Sequence, residues 1–98
     1  MAVVAVSIVP LGSGTSVSKF VVEAEKVFAS KKNLKRQLGP MFTTLEGDLS
    51  EIMEAIKEAQ EAVFSAGALR VSTTIKIDER RDKTLSMEGK IQAIEQQI

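Results

Sequence analysis

The sequence predicts an α+β fold with a four-stranded antiparallel sheet, two helices on one sheet face and a short C-terminal helix. Three observations lead to this prediction: an apolar, valine-rich start at Ala2–Val9, two segments with apolar residues at three- and four-residue spacing, and a strictly alternating segment from Leu69. The 98 residues fit one domain, residues 1–98. A chain of this length buries only about 60–65% of its unfolded surface, so association with other chains would add useful stability.

The first strand and the first helix are predicted at the start of the chain. Ala2–Val9 is nearly all apolar, as expected of a central strand covered on both faces. After Pro10, Thr15 or Ser16 offers a side-chain oxygen to cap a helix, whose apolar stripe comprises Val17, Phe20, Val21, Ala24, Val27 and Phe28. The glycine-rich residues 12–16 also resemble a phosphate-binding loop, but they lack its lysine, so a turn with a helix cap is the favoured interpretation.

Two short strands and a second helix follow. Leu34–Leu38 and Met41–Glu46 flank Gly39-Pro40 and are predicted to pair in antiparallel fashion. Asp48 begins a capping pattern that leads into a stripe of Leu49, Ile52, Met53, Ile56, Ala59 and Val63, and the helix ends at Ala66-Gly67.

The alternating segment supplies the fourth strand, and a last helix follows it. Leu69, Val71, Thr73, Ile75 and Ile77 face the core, while Arg70, Ser72, Thr74, Lys76 and Asp78 face the other way. Met87, Ile91, Ile94 and Ile98 form the narrow seam of a C-terminal helix. The order βαββαβ predicts a ferredoxin-like sandwich.

Composition excludes several classes of function. Thirteen basic residues balance thirteen acidic ones, so no net field favours nucleic acid. The chain has no cysteine and no histidine, which removes the commonest catalytic bases and transition-metal ligands. The apolar start has no preceding basic residue and is too short to span a membrane. We therefore expect a cytoplasmic protein that is not an enzyme and has no metal, cofactor, nucleic-acid partner or membrane partner.

The sheet face opposite the two helices is the predicted functional surface. It is expected to carry Val3, Ala5, Ser7, Gln37, Phe42, Thr44, Glu46, Ser72, Thr74 and Lys76. Such a mixed surface is seldom left bare on a monomer, so we expect identical subunits to cover it, with or without a trapped small molecule. The charged run Asp78–Lys83 is interpreted as an ion-pair corner between subunits or as a solvated loop. Its interleaved signs argue against metal or phosphate binding.

Four motifs carry a resemblance to a known family. They are Leu11-Gly12-Ser13-Gly14-Thr15-Ser16-Val17-Ser18-Lys19, Gly39-Pro40-Met41 leading to Thr43-Thr44-Leu45-Glu46-Gly47, Thr73–Lys83, and Met87-Glu88-Gly89-Lys90. In this order they resemble the small thiamine-binding protein family over essentially the whole chain. The resemblance implies a ferredoxin-like domain that binds thiamine or its hydroxymethylpyrimidine moiety and forms homodimers or homotetramers. It does not imply catalysis. The sequence departs from the family pattern at Phe42, where glycine is common, and at Gln60, where histidine is usual.

The resemblance also suggests roles for residues of the predicted sheet face. The edge of an aminopyrimidine, a ring nitrogen beside an exocyclic amine, suits the carboxylate of Glu46, with Thr44 and Thr74 as flanking hydroxyls. The alternative is that Glu46 is a solvated strand end near the next helix. Ser7 and Ser72 are expected nearby, Phe42 stacks on the ring or fills the interface, and Lys76 joins the site or pairs with Glu46. Gly12, Ser13, Gly14 and Thr15 form the expected loop rim. The alternative function is a purely structural or regulatory homo-oligomer without a ligand.

Overall fold

The computed structural model describes all 98 residues and has the predicted order of elements. The strands are β1 (Ala2–Pro10), β2 (Lys35–Leu38), β3 (Thr43–Gly47) and β4 (Val71–Glu79), and the helices are α1 (Ser18–Ser30), α2 (Leu49–Ser65) and α3 (Met87–Glu95). The strands form one sheet in the order β2-β3-β1-β4, and each neighbouring pair is antiparallel. The predicted α+β, ferredoxin-like fold is therefore confirmed.

The main hydrophobic core lies between the sheet and the two longer helices. Alternate residues of β1 point into it, because successive side chains of a strand face opposite ways: Val4, Val6 and Ile8 are all buried. The helices contribute residues at three- and four-residue spacing, namely Phe20, Ala24 and Phe28 of α1 and Ile52, Ala55, Ile56, Ala59 and Val63 of α2. Because burying one large apolar side chain contributes about 1.5–3 kcal/mol, this layer fixes α1 and α2 on one side of the sheet.

The ends of α2 follow the sequence prediction. Asp48 is the N-cap residue, and its Oδ2 accepts a hydrogen bond of 3.2 Å from the backbone N–H of Glu51. This bond satisfies one of the free N–H groups of the first turn. The helix ends one residue before Ala66, and Gly67 then takes a φ of +115°, a conformation that favours glycine.

The start of α1 differs from the prediction. Val17 is the N-cap residue and no side chain caps the helix, so the predicted cap at Thr15 or Ser16 is wrong. The backbone carbonyl of Val17 accepts hydrogen bonds from the N–H groups of Phe20 and Val21, at 3.0 and 3.1 Å. The helix therefore begins after the two hydroxyl residues, which remain exposed in the preceding loop.

The β2–β3 hairpin is shorter than predicted. Leu34 is buried in the core instead of belonging to β2, and β3 begins at Thr43 because residues 39–42 form the turn. A Cβ atom on Gly39 would lie 2.4 Å from the carbonyl oxygen of Phe42, so the turn requires glycine at this position. Leu69 was predicted to begin the last strand, but it lies before β4 and is 96% exposed.

The helices give no support for a membrane-spanning segment, since none combines the length and the apolar character needed to cross a bilayer. The apolar start of the chain forms the central strand β1, as predicted. The cytoplasmic location stays a prediction.

Candidate functional site

The sheet face turned away from α1 and α2 presents rows of side chains that cross all four strands. Register places Gln37 of β2 beside Thr44 of β3, Thr44 beside Ala5 of β1, and Ala5 beside Lys76 of β4. Because directly paired residues of a sheet point to the same face, these four side chains form one row. We call it the central row.

The next row of this face lies under α3. Register pairs Val3 with Glu46 on one side and with Asp78 on the other, and Val3 is buried against Leu85 and Met87 in a second, small apolar cluster. The expectation of a helix-free face is therefore only partly correct. The C-terminal helix covers one end of the face because its first apolar residues have Val3 to pack against.

Glu46 holds the start of this helix. Its Oε1 accepts a hydrogen bond of 2.7 Å from the backbone N–H of Met87, one of the N–H groups that an α-helix leaves unpaired in its first turn. A negative charge at a helix N-terminus is also favourable for the helix dipole. The predicted pair between Glu46 and Lys76 does not form. The carboxylate expected to bind ligand thus anchors α3.

Two ion pairs fix the same helix across the width of the sheet. Lys35 of β2 contacts Glu88, and Asp78 of β4 contacts Lys90. The hydrogen bond from Lys35 lowers the pKa of the Glu88 carboxyl, and the same contact raises the pKa of Lys35. The first turn of α3 is therefore tied to both outer strands.

Five of the six charged residues in 78–83, all except Lys83, are paired within the chain. Arg80 donates hydrogen bonds to both carboxylate oxygens of Asp82, and Arg81 contacts Glu79. The hydrogen bond from Arg80 lowers the pKa of Asp82 and raises that of Arg80. Because Asp78 contacts Lys90, all three carboxylates of this corner have partners in their own chain.

Between the central row and α3 lies a groove of about 420 Å³. We call it the sheet-face groove. Its lining comprises Val3, Ala5, Gln37, Thr44, Lys76, Ile77, Asp78, Met87, Lys90 and Ile91. Apolar groups of the sheet and of α3 face each other across it, and the polar members of the central row stand beside them. Lys76 takes part in no ion pair, so its ammonium group is available to a ligand.

The structure divides the predicted ligand residues among several places. Thr44 and Lys76 line the sheet-face groove, whereas Ser7 and Phe42 line a separate cavity. Ser72 and Thr74 are exposed on β4 and line neither. These residues therefore do not all line one cavity, because the face extends over the full length of β1 and the groove occupies only one end; their roles in ligand binding stay a prediction.

The predicted loop rim, Gly12, Ser13, Gly14 and Thr15, lies away from the groove. The loop follows the C-terminal end of β1, where the N–H of Leu11 donates a hydrogen bond of 2.8 Å to the carbonyl of Arg70. The groove lies at the opposite end of β1, beside Val3. The loop therefore cannot be a rim of this groove.

The second cavity, of about 210 Å³, lies between the end of β1, α1 and the turn of residues 39–42. We call it the strand-edge slot. Its lining is mainly apolar and comprises Val6, Ser7, Ile8, Val9, Val17, Val21, Ala24, Glu25, Phe28 and residues 38–43. It shares no lining residue with the sheet-face groove.

A larger depression, of about 510 Å³, lies between the α1–β2 loop and α2. Lys31, Lys32, Glu51 and Glu54 are among its lining residues, and only two of its nine lining residues are hydrophobic. Such a surface lacks the apolar walls of most small-molecule sites, so its greater size does not make it the better candidate.

The two departures from the family pattern lie outside the groove. Gln60 belongs to α2, where its Oε1 accepts a hydrogen bond of 2.5 Å from the hydroxyl of Thr73 on the helix side of the sheet. Phe42 lies at the strand-edge slot and is 38% exposed. Neither residue obstructs the sheet-face groove.

Sequence reasoning missed the contribution of α3 to the groove. Met87, Lys90 and Ile91 form its helical wall. The four-residue spacing of Met87 and Ile91 was the available signal, since it shows that the two side chains share one helix face. Spacing could not show which side of the sheet that face would contact.

Comparison with known proteins gives a consistent result. A family model described as thiamine-binding protein matches residues 4–95. The UPF0045 protein MJ1052 of Methanocaldococcus jannaschii is 51% identical over 89 residues, which cover 91% of this chain and 87% of that protein. The UPF0045 protein YqgV of Bacillus subtilis is 39% identical over 102 residues, covering 100% of this chain and 98% of the relative.

Solved structures share the fold. The crystal structure of MJ1052 superposes with a TM-score of 0.89 at 49% identity, covering 96% of this chain and 95% of that chain. A Thermotoga maritima structure, described as a candidate thiamine biosynthesis/salvage protein, superposes with a TM-score of 0.81 at 25% identity, covering 95% and 97% of the two chains.

Proposed function

This chain belongs to the thiamine-binding protein family, and on that premise we propose that it binds thiamine or its hydroxymethylpyrimidine moiety in the sheet-face groove. The observation that carries the proposal is the groove itself, in which apolar walls from two elements face each other beside a polar row. Its volume of about 420 Å³ lies in the range usual for small-molecule sites. The chain holds the molecule without catalysing a reaction on it.

The groove suits a pyrimidine ring in two ways. Ala5 on the sheet and Ile91 on α3 supply apolar surface for the two faces of a flat ring. The side-chain amide of Gln37 offers a donor and an acceptor together, which complements the ring nitrogen and exocyclic amine of an aminopyrimidine. The unpaired ammonium of Lys76 disfavours a nearby positive charge, so the thiazolium ring of thiamine would point to the open mouth of the groove.

Titration calorimetry tests this proposal. Thiamine and hydroxymethylpyrimidine are titrated separately into the wild-type protein and into Gln37→Ala, with Gln92→Ala, an exposed α3 position outside the groove, as the matched control. We expect Gln37→Ala to weaken binding about tenfold, because the neutral hydrogen bonds between the Gln37 amide and the pyrimidine are lost. Gln92→Ala should bind like wild type. Absence of heat with both compounds in the wild type would overturn the proposal.

Self-association is the second part of the proposed function. β4 is an edge strand of nine residues, and an exposed edge offers unpaired backbone groups to another chain. Leu38 and Met41 are 61% and 80% exposed near the other edge. These features support a homodimer or homotetramer.

Sedimentation velocity at micromolar concentration should show a species larger than 10.6 kDa, and a monomer alone would contradict this part. An oligomer that binds neither compound would instead favour the structural or regulatory alternative.

A further inference from the structure

The sheet-face groove adjoins a second cavity at the end of β4. This cavity has a volume of about 520 Å³, and we call it the corner cavity. Its lining comprises Asp78, Arg80, Lys83, Thr84, Leu85, Ser86, Gly89, Lys90 and Ala93. Asp78 and Lys90 line both the groove and the corner cavity, and they form an ion pair with each other. A ligand in the groove therefore has the corner cavity beside it, separated by this one ion pair.

The charges that line the two cavities are unequal, although the chain as a whole has no net charge. One carboxylate, that of Asp78, lines them together with four cationic side chains, those of Lys76, Arg80, Lys83 and Lys90. The carboxylate of Asp78 is neutralised by Lys90, and Arg80 is neutralised by Asp82, which lies outside the lining. The combined cavity therefore carries an excess of positive charge.

Two ammonium groups account for this excess. Lys76 in the groove and Lys83 in the corner cavity take part in no ion pair. Carboxylates near the start of α3 do not compensate them, because Glu88 contacts Lys35 and Glu46 accepts from the N–H of Met87. The two free ammonium groups lie on opposite sides of the Asp78–Lys90 pair, so a single anion beside that pair would be attracted by both.

The corner cavity also holds hydrogen-bond donors without an acceptor in the chain. Arg80 binds Asp82 through Nε and Nη2, which leaves its Nη1 free. The Oγ of Ser86 accepts a hydrogen bond of 3.0 Å from the N–H of Gly89, but its own hydroxyl proton is not donated to any acceptor of the chain. A guanidinium, an ammonium and a hydroxyl group are donors that suit the oxygens of a phosphate group.

We propose that the corner cavity binds a phosphate group, so that the ligand of the combined site is a phosphate monoester of the hydroxymethylpyrimidine. A phosphate monoester carries about −1.5 to −2 charges at pH 7, which matches the two free ammonium groups. Side chains two residues apart on a strand, such as Lys76 and Asp78, are about 7 Å apart, a distance that the ring and its phosphate arm can span. This inference rests on the proposed function and selects an anionic ligand over the cationic thiamine.

Calorimetric titration with hydroxymethylpyrimidine and with its phosphate monoester tests the inference. In the wild type we expect the ester to bind at least about tenfold more tightly, because it adds charge-assisted hydrogen bonds. Added salt should reduce this difference. Lys83→Gln should bind the two compounds with similar affinities, whereas Lys57→Gln, which alters an exposed α2 lysine without an ion pair, should keep the difference.

Inorganic phosphate, titrated alone and followed by nitrogen-15 NMR, tests the corner cavity without the ring. We expect the backbone amides of Lys83, Thr84 and Ser86 to shift, because these residues line the cavity. The amides of Ala5 and Thr44 in the groove should shift with the ester and with the unphosphorylated ring, but not with inorganic phosphate.

The outcomes separate this inference from the proposed function. Equal affinities for ester and unphosphorylated ring, or a preference for the ester that survives in Lys83→Gln, would overturn the phosphate site and leave ring binding in the groove standing. Shifts of the corner amides with ester and inorganic phosphate, but no binding of the unphosphorylated ring or of thiamine, would support the phosphate site and contradict the proposed function. No response to the ester at all would overturn both.

Discussion

The backbone N–H of Met87 donates a hydrogen bond of 2.7 Å to Oε1 of Glu46, joining α3 to β3 across 41 residues of chain. Since Met87 lines the sheet-face groove and Glu46 does not, the bond positions one wall of the groove from outside it. The groove therefore exists only while α3 is docked on the sheet. The first two predictions concern this docking.

Replacing Glu46 by alanine should loosen α3. The change removes the acceptor for Met87 N–H and should lower the free energy of unfolding by about 1 kcal/mol. Hydrogen exchange at Met87, Gly89 and Lys90 should become faster while the core of α2 stays protected. Glu54→Ala, at an exposed α2 position without an ion pair, is the control. Unchanged exchange in the α3 amides would show that Glu46 does not anchor the helix.

Docking of α3 should also depend on pH through the Lys35–Glu88 pair. The pKa of Glu88 is lowered by the hydrogen bond from Lys35, so its contribution to stability is present above the unfolded-state pKa and lost as pH falls through the folded-state pKa. The pKa of Lys35 is raised by the same bond, so its contribution is present below the unfolded-state pKa and lost as pH rises through the folded-state pKa.

The helix should therefore loosen as the pH falls below the ordinary pKa of a glutamate carboxyl, and again as the pH rises above the ordinary pKa of a lysine ammonium. Amide chemical shifts of Met87 and Lys90 measured across this range would report the two transitions. Glu88→Gln should reduce both transitions, because residue 88 then no longer titrates and Lys35 has lost its charged partner. Identical titration curves for the wild type and the variant would show that this ion pair causes neither transition.

A core substitution provides a test of the main packing layer. Leu45 of β3 is fully buried beneath the helices, and Leu45→Ala should lower the free energy of unfolding by about 2–5 kcal/mol through lost burial and a residual cavity. Leu69→Ala removes the same atoms from a side chain that is 96% exposed. This substitution should change the free energy of unfolding by less than about 0.5 kcal/mol. Urea denaturation of both variants measures the difference. Similar losses would mean that Leu45 is not a core residue.

The parts of the fold that the sequence could predict depend on local patterns. Alternation in β1 and β4, the apolar stripes of α1 and α2, and the Asp48 cap all involve residues within a few positions of each other. Such patterns determine which face of an element is apolar. They were sufficient for the element order and for most positions on the two sheet faces, but Leu69 and Phe42 lie outside the strands to which they were assigned.

The site was predicted less well because its geometry depends on contacts distant in sequence. The seam of α3 fits either side of the sheet, and only Val3, Glu46 and the outer-strand charges place it on the free face. The strand-edge slot likewise arises because β3 begins at Thr43, two residues later than the predicted start at Met41. Strand ends are set by turn geometry and tertiary packing, so periodicity alone could not locate the slot.

The family departure at Gln60 should affect packing between α2 and the sheet and leave the groove unchanged. The hydroxyl of Thr73 donates to Oε1 of Gln60 on the helix side, where both side chains are half-buried. Thr73→Val, Gln60→Leu and the double variant form a cycle in which we expect a coupling of about 1 kcal/mol in the free energy of unfolding. Urea denaturation measures it, and thiamine titration of Gln60→Leu should match wild type because Gln60 does not line the groove. Additive losses of stability in the cycle would show that the hydrogen bond contributes nothing. Loss of thiamine binding in a folded Gln60→Leu protein would indicate that the ligand binds on the helix side of the sheet instead.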